Sequence, residues 1–353
     1  GLMVLAHAGA LVDSTNNILV GDSGDGTLIV SNGLLKAANL TIASVTGSVG
    51  RMAVSGGRVE IANTLIVGNR SVGSLNISGG EVLATNLTLV GVATNTTATV
   101  EMSGGTLSLY GISSISSFGG VSNLWMSGGT LVALKNFNNN LTTTLTNSPG
   151  PGVFTLSTAF TNSRAVVLTG PGGLAKAGAG VLSLTQVNDY TGETVVNAGT
   201  LALIGSATIA NSTQITVAAG ATLDASSPTF ITVGGSQTIK GGGTVLGSLI
   251  NDGTVAPGAS PGTLSVVGDY LNNGTLALEI GGTTPGSEHD VLVVATNATV
   301  GGTIKVTLVD GFTPATGNSF TVLTAMAVSG TFASTDLPSG DWSVDVQADQ
   351  VVL

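Results

Sequence analysis

The tripeptide Ser-Gly-Gly returns at a nearly fixed interval, at Ser55-Gly56-Gly57, Ser78-Gly79-Gly80, Ser103-Gly104-Gly105 and Ser127-Gly128-Gly129. Ser31-Asn32-Gly33 is a degenerate copy one interval before the first. The flanks repeat too: Leu75-Asn76-Ile77 and Val100-Glu101-Met102 precede their tripeptides as Leu124-Trp125-Met126 does. A second arm ends in Val-Gly at Gly21, Gly68 and Gly91. Self-similarity at a steady period of about 24 residues marks a repeat architecture.

One unit is legible physically. Segments such as Leu75-Asn76-Ile77 and Val82-Leu83 send alternate side chains inward, the period of a strand. The pairs Gly56-Gly57, Gly79-Gly80, Gly104-Gly105 and Gly128-Gly129 supply structural turns, because glycine takes φ > 0 without steric cost. A unit of about 24 residues cannot bury its apolar face alone, but stacked on copies of itself it does. The expected fold is all-β: a β-solenoid, read as a right-handed parallel β-helix on the crossover preference, with a C-terminal β-rich module.

Composition removes the alternatives. The 353 residues are 42% hydrophobic and only 8% charged, with 53 Gly and no Cys. That is too apolar for disorder and excludes a disulfide scaffold or a Cys-ligated metal. No apolar run reaches the roughly 18 residues of a transmembrane segment. The net charge of −10 is uneven: residues 1–223 hold 8 acids and 7 bases, residues 224–353 hold 11 acids and 2 bases. Nucleic acid, which needs a basic face, is not an expected partner. Gly1 suggests a chain whose signal peptide has been removed.

The Asn-rich Lys135–Leu141 and the breaker Ser148-Pro149-Gly150-Pro151-Gly152 end the first pattern. The expected organisation is a Ser-Gly-Gly solenoid over 1–148, a second solenoid segment over 149–284, and a β-sandwich-like or solenoid-capping assembly module over 285–353.

The second segment carries Gly170-Pro-Gly-Gly-Leu174-Ala-Lys176-Ala-Gly178-Ala-Gly180-Val-Leu182-Ser-Leu184, then Asn188-Asp-Tyr190-Thr-Gly192-Glu-Thr194 and Gly199-Thr-Leu201. This resembles the autotransporter-associated β-strand repeat, also called the passenger-associated transport repeat, of bacterial surface proteins. Gln186 departs from the pattern, where the family has a small residue, and is expected to point outward. Gly253–Leu264 and His289–Ile304 look like later segments of such passengers. The resemblance implies an extracellular or cell-surface β-solenoid and names a shape, not a chemistry.

Candidate chemistry is sparse. His289-Asp290 beside Ser287 and Glu288 could be a catalytic fragment, but triads are assembled in space rather than from neighbours, and a solvated loop is the preferred reading. Asp22 and Asp25 in a Gly-rich turn form a weak Ca²⁺ candidate, short of the six to eight oxygens required. Asp336, Asp341, Asp345 and Asp349 read as a solvated acidic face. Glu60, Glu81 and Glu101 could ladder on neighbouring rungs with Arg58 or Arg70 interleaved. Nine Asn-x-Ser/Thr triplets, at Asn39, Asn69, Asn76, Asn86, Asn95, Asn140, Asn211, Asn273 and Asn297, mark polar turns. No catalytic residue and no cofactor is assigned.

The ends suggest assembly. Leu2, Met3, Val4 and Leu5 begin the chain without a charged gatekeeper, and Val351, Val352 and Leu353 close it as an apolar, strand-like run. Open strand edges pair with other chains, and a head-to-tail contact that does not close gives a filament. The expected function is a non-enzymatic structural surface protein that polymerises with copies of itself, adhesive to surface polysaccharide. Two alternatives stand beside it: a carbohydrate-binding or carbohydrate-cleaving β-helix, and a stalk-like passenger.

Overall fold

In the computed structural model the described residues are 1–91, 96–116, 120–136, 138–139, 143–147, 152–164 and 167–353. The expected boundary at 148, most of the Pro-Gly breaker, and Asn95 and Asn140 lie outside them. The described residues are all strand, turn and loop, with no helix long and apolar enough to cross a membrane. They divide into two units, Gly1–Gly192 and Glu193–Leu353.

Unit 1 is a parallel β-solenoid. Its rungs are longer strands than the sequence suggests: Val49–Val67, Val72–Gly91 and Thr97–Ser116 are 19, 20 and 20 residues each. The Ser-Gly-Gly corner lies inside each strand, and in the ladder of Val49–Val67 with Val72–Gly91 the chain turns through a bulge instead of leaving the sheet. The register slips there, between Val54 and Ser55 and between Ser55 and Arg58. A bulge bends a strand while neighbouring pairing continues.

The repeat period becomes vertical register. Leu28, Met52, Leu75, Val100 and Leu124 pair in sequence up one column. Leu35, Val59, Val82, Leu107 and Leu131 form a second. Leu40, Leu65, Leu87 and Ile112 form a third. All are buried. Burying an aliphatic side chain of this size contributes about 1.5–3 kcal/mol, so each rung brings several such contributions that exist only when a neighbour covers it. In the second arm, Gly68 aligns one position before Gly91, since Val67 pairs with Leu89.

Unit 2 is also a parallel stack, with three short strands per rung. Its columns are Ile215–Ile239–Val255–Leu276–Ile304, Leu223–Val245–Val266–Val294 and Ile231–Leu249–Tyr270–Ala298. The rung length is not constant: the step from Ile239 to Val255 is short, that from Val255 to Leu276 is longer, and that from Leu276 to Ile304 is longer still. The longest step contains the Gly281–His289 loop. Strands Val291–Val294, Asn297–Val300 and Thr303–Leu308 pair parallel with the rungs before them. Of the two readings of 285–353, β-sandwich-like or solenoid-capping, the first therefore does not describe residues 291–308, which continue the parallel stack. Apart from isolated bridges at Gly241–Gly258 and Ile280–His289, antiparallel pairing among the described residues falls in the last strands, where Gln350–Val352 lies between Thr321–Thr324 and Asp345–Val346.

Candidate functional site

The corner glycines divide their work. Gly57, Gly80, Gly105 and Gly129 have φ of 67°, 69°, 68° and 77°, the left-handed region that favours glycine. Their predecessors are needed for space. A Cβ on Gly56, Gly79 or Gly104 would lie 2.3–2.4 Å from the main-chain oxygen of Ser31, Ser55 or Ser78 in the rung below. Gly128 is buried.

On the outer face of the same rungs the charges are placed in register. Asp13, Lys36, Glu60 and Leu83 occupy one column. Glu81 is in the column of Arg58, and Glu101 is in that of Asn76 and Trp125. The three glutamates thus do not stack on one another as their spacing near one period suggested. Arg58 instead bridges Glu60 at 2.6 Å and Glu81 at 2.6 Å, and Lys36 meets Glu60 at 3.2 Å. The hydrogen bond from Arg58 holds the Glu60 carboxyl below its ordinary range, with Lys36 acting the same way. The pairs are partly solvated, so they arrange the face more than they stabilise it.

Beside this network runs a groove of about 530 Å³. Asp13, Thr15, Lys36, Glu60, Thr85 and Tyr110 contribute to its walls. Tyr110 is 41% exposed, an aromatic ring presented to solvent from the corner of its rung. The other two tyrosines, Tyr190 and Tyr270, are core residues.

The remaining candidates resolve differently. His289 and Asp290 are buried, not solvated. The ring nitrogens of His289 face the carbonyl oxygens of Gly282 and Thr321, each at 3.2 Å. Asp290 accepts from the N–H groups of Gly262 and Glu279, each at 2.8 Å. Burial pushes its carboxyl up to about 7. The two side chains pin separate loops; Asp290 also lines a cavity of about 420 Å³ with Lys240 and Glu279, to which His289 does not contribute. Asp22 accepts from the Ser44 hydroxyl, and Asp25 offers its main-chain oxygen to the amino group of Gly1. Among the described residues no group of three His, Asp or Glu is placed to hold a metal ion. Asp336 meets Lys305 at 3.2 Å, and Asp345 accepts from Gln347.

The ends differ from one another. Leu2, Met3 and Val4 are exposed on a strand that pairs with Thr27–Val30, whereas Leu5 is buried. Val351 and Leu353 are buried within unit 2, and Leu353 exchanges two main-chain hydrogen bonds with Phe320. The C-terminal run therefore folds back as a cover, in place of the open edge expected of Val351, Val352 and Leu353.

Sequence reasoning did not find the buried polar residues of the second signature. Leu174, Leu182 and Leu184 fill the core, and Gln186 points outward. Lys176 is also fully buried; its Nζ donates to the carbonyls of Ala177 at 2.8 Å and Gly178 at 2.7 Å. Asn188 accepts from Leu168 N–H at 3.0 Å and donates to Gln186 O at 2.8 Å. These polar atoms close turns on themselves, which a solenoid needs where no ladder hydrogen bond is available. Burial lowers the Lys176 ammonium to about 8. Its folded value is below its unfolded one, so the folded chain binds fewer protons between about pH 8 and 10.5 and stability rises with pH across that window. Chemical denaturation from pH 7.5 to 10.5 is expected to show a gain on the order of 1–3 kcal/mol, absent in Lys176→Met. A parallel pH response in the variant would remove Lys176 as the cause.

The stretch that holds the buried Lys176, Asn188 and Tyr190 is the one with a family likeness. Residues 174–203 match the family model described as Passenger-associated-transport-repeat. Over 146 residues the chain is 35% identical to the adhesin BmaC autotransporter of Brucella suis biovar 1 (strain 1330), an alignment that takes in 40% of this chain and 4% of that protein. Both similarities point to a secreted or cell-surface protein.

Proposed function

We propose that this chain is a non-enzymatic passenger segment displayed outside the cell, a solenoid stalk with an adhesive outer face. The observation that carries the reading is the stacked solenoid of unit 1, whose outer positions are largely Thr, Ser and Asn and on which Lys36, Arg58, Glu60 and Glu81 pair with one another. Such a face is built to be extended rung by rung, since each repeat contacts only its neighbours. The engagement of His289 and Asp290 by main-chain groups supports the non-enzymatic part. The test is display of the 353-residue chain on a non-adherent bacterium. Adherence to epithelial cells severalfold above that given by an inert domain of equal length is the expected result. Adherence at background would remove the adhesive role.

A second reading, self-association into a filament, draws on strand Leu2–Leu5. Among the described residues it pairs with Thr27–Val30 alone, and its exposed Leu2, Met3 and Val4 offer an apolar contact. The folded-back C-terminal strand argues against the head-to-tail form. Light scattering over a concentration series is expected to show mass rising with concentration, and less so for Val4→Lys; a constant monomer mass ends this reading.

A further inference from the structure

We infer that the groove along the outer face of unit 1 is a binding site for a neutral, linear oligosaccharide, with Tyr110 as its stacking platform. This rests on the adhesive reading and names its ligand class. The groove crosses five successive rungs, those of Asp13, Lys36, Glu60, Thr85 and Tyr110. Four rung steps give a length of about 19 Å at the strand spacing. A linear chain of a few sugar rings fits that extended shape, whereas a compact cofactor does not.

The wall chemistry selects among extended ligands. Lys36 is the only base of the lining, and it is held at 3.2 Å by Glu60. No basic stripe is present to track a polyanion, so nucleic acid and sulfated or uronic polymers are disfavoured. Unused hydrogen-bonding capacity remains. Among the described residues neither the Asp13 carboxylate nor the Tyr110 hydroxyl has a hydrogen-bond partner, and Thr15 is exposed. Acceptors and hydroxyls beside a half-exposed aromatic face suit a ligand that offers hydroxyls at its edges and C–H groups on its faces. Pockets of this kind join apolar area with a few placed polar groups. An aromatic anchor carries a disproportionate share of such binding.

The test is calorimetric titration of the 353-residue chain with cellotetraose, maltotetraose and chitotetraose, and with heparin as the polyanionic arm. Binding of at least one neutral tetrasaccharide is expected. Tyr110→Ala weakens it at least about tenfold, while Tyr110→Phe keeps the ring and stays within about threefold. Asp13→Asn weakens it by a smaller factor. Trp125→Ala, on another column one rung beyond that of Tyr110 and equally exposed at 41%, leaves it unchanged. Melting of each variant at the wild-type temperature keeps the comparison clean. Failure of all three neutral sugars, binding of heparin alone, or indifference to Tyr110→Ala overturns the proposal. If adherence of the displayed chain persists in that case, the ligand class is wrong and the adhesive reading stands; if both fail, the adhesive reading goes too.

Discussion

Gly79→Ala is expected to destabilise the chain by about 3–5 kcal/mol, at the upper end of single substitutions. The backbone angle is not the reason, because Gly79 is absent from the residues with positive φ. An alanine Cβ there would stand 2.4 Å from the Ser55 carbonyl oxygen and 3.1 Å from its carbon. Both are main-chain atoms of the next rung, which no rotamer change can move. The rungs must separate locally, which uncovers Leu75, Ile77 and Val82 and their partners below. Two controls isolate this mechanism. Gly47→Ala, at φ of 84° with nothing within 4 Å of its Cβ, costs only the left-handed penalty of about 1–2 kcal/mol. Gly9→Ala, also in open space and without a positive φ, is neutral or slightly stabilising through the unfolded chain. Urea melts of the three variants give the ranking; a Gly79→Ala chain as stable as Gly9→Ala would mean the rungs are more loosely stacked than described.

The second large effect is expected at Asn272. Inside unit 2, Asn251 and Asn272 occupy adjacent rungs at the same register and are both fully buried. Asn272 Oδ1 accepts from Asn251 Nδ2 at 2.6 Å and from the Tyr270 hydroxyl at 2.9 Å, and its Nδ2 donates to Gly301 O at 2.7 Å. Asn251 in turn donates to Thr275 O at 2.9 Å and accepts from Gly253 N–H at 3.1 Å. Burial raises the Tyr270 phenol far above its ordinary value, so it stays a donor throughout the accessible pH range. Asn272→Leu keeps the volume but leaves the buried Tyr270 hydroxyl without its acceptor, one N–H of Asn251 unpaired and the half-buried Gly301 carbonyl without its donor, at about 1–3 kcal/mol for each group fully buried. A loss of about 3–5 kcal/mol is expected. Tyr270→Phe removes one donor and should cost about 1 kcal/mol. The double variant should fall short of the sum, since the two share one acceptor. Simple additivity in thermal melts would show that the two side chains act independently.

These two sites show what could be read from the sequence and what could not. The rungs of unit 1 were legible because Ser-Gly-Gly keeps the same distance from alternating Leu, Val and Met, and register follows directly from that spacing. The reason for the first glycine was not, since it depends on an oxygen one period away. Unit 2 hid its rungs by varying their length. Its Asn ladder reads locally as turn sequence, in Asn251-Asp-Gly-Thr and Asn272-Asn-Gly-Thr. The signal was the return of that frame one rung later, which places an amide at the same inward position twice. The groove was invisible for another reason: Asp13, Lys36, Glu60 and Tyr110 are far apart in the chain, and only Asp13, Lys36 and Glu60 share a column.

The strand that runs unbroken through its own corner also sets how unit 1 yields under load. Adjacent rungs are joined by parallel pairing along nearly their whole length, as between Val72–Gly91 and Thr97–Ser116. Tension applied to the terminal rung concentrates on one seam, which peels before the next is loaded. Each rung that lets go frees about 24 residues, some 80 Å of slack at about 3.4 Å per residue, in exchange for a stack shorter by about 4.8 Å. A stack built this way would dissipate a pull in small instalments, with the rung that held as the template for rewinding.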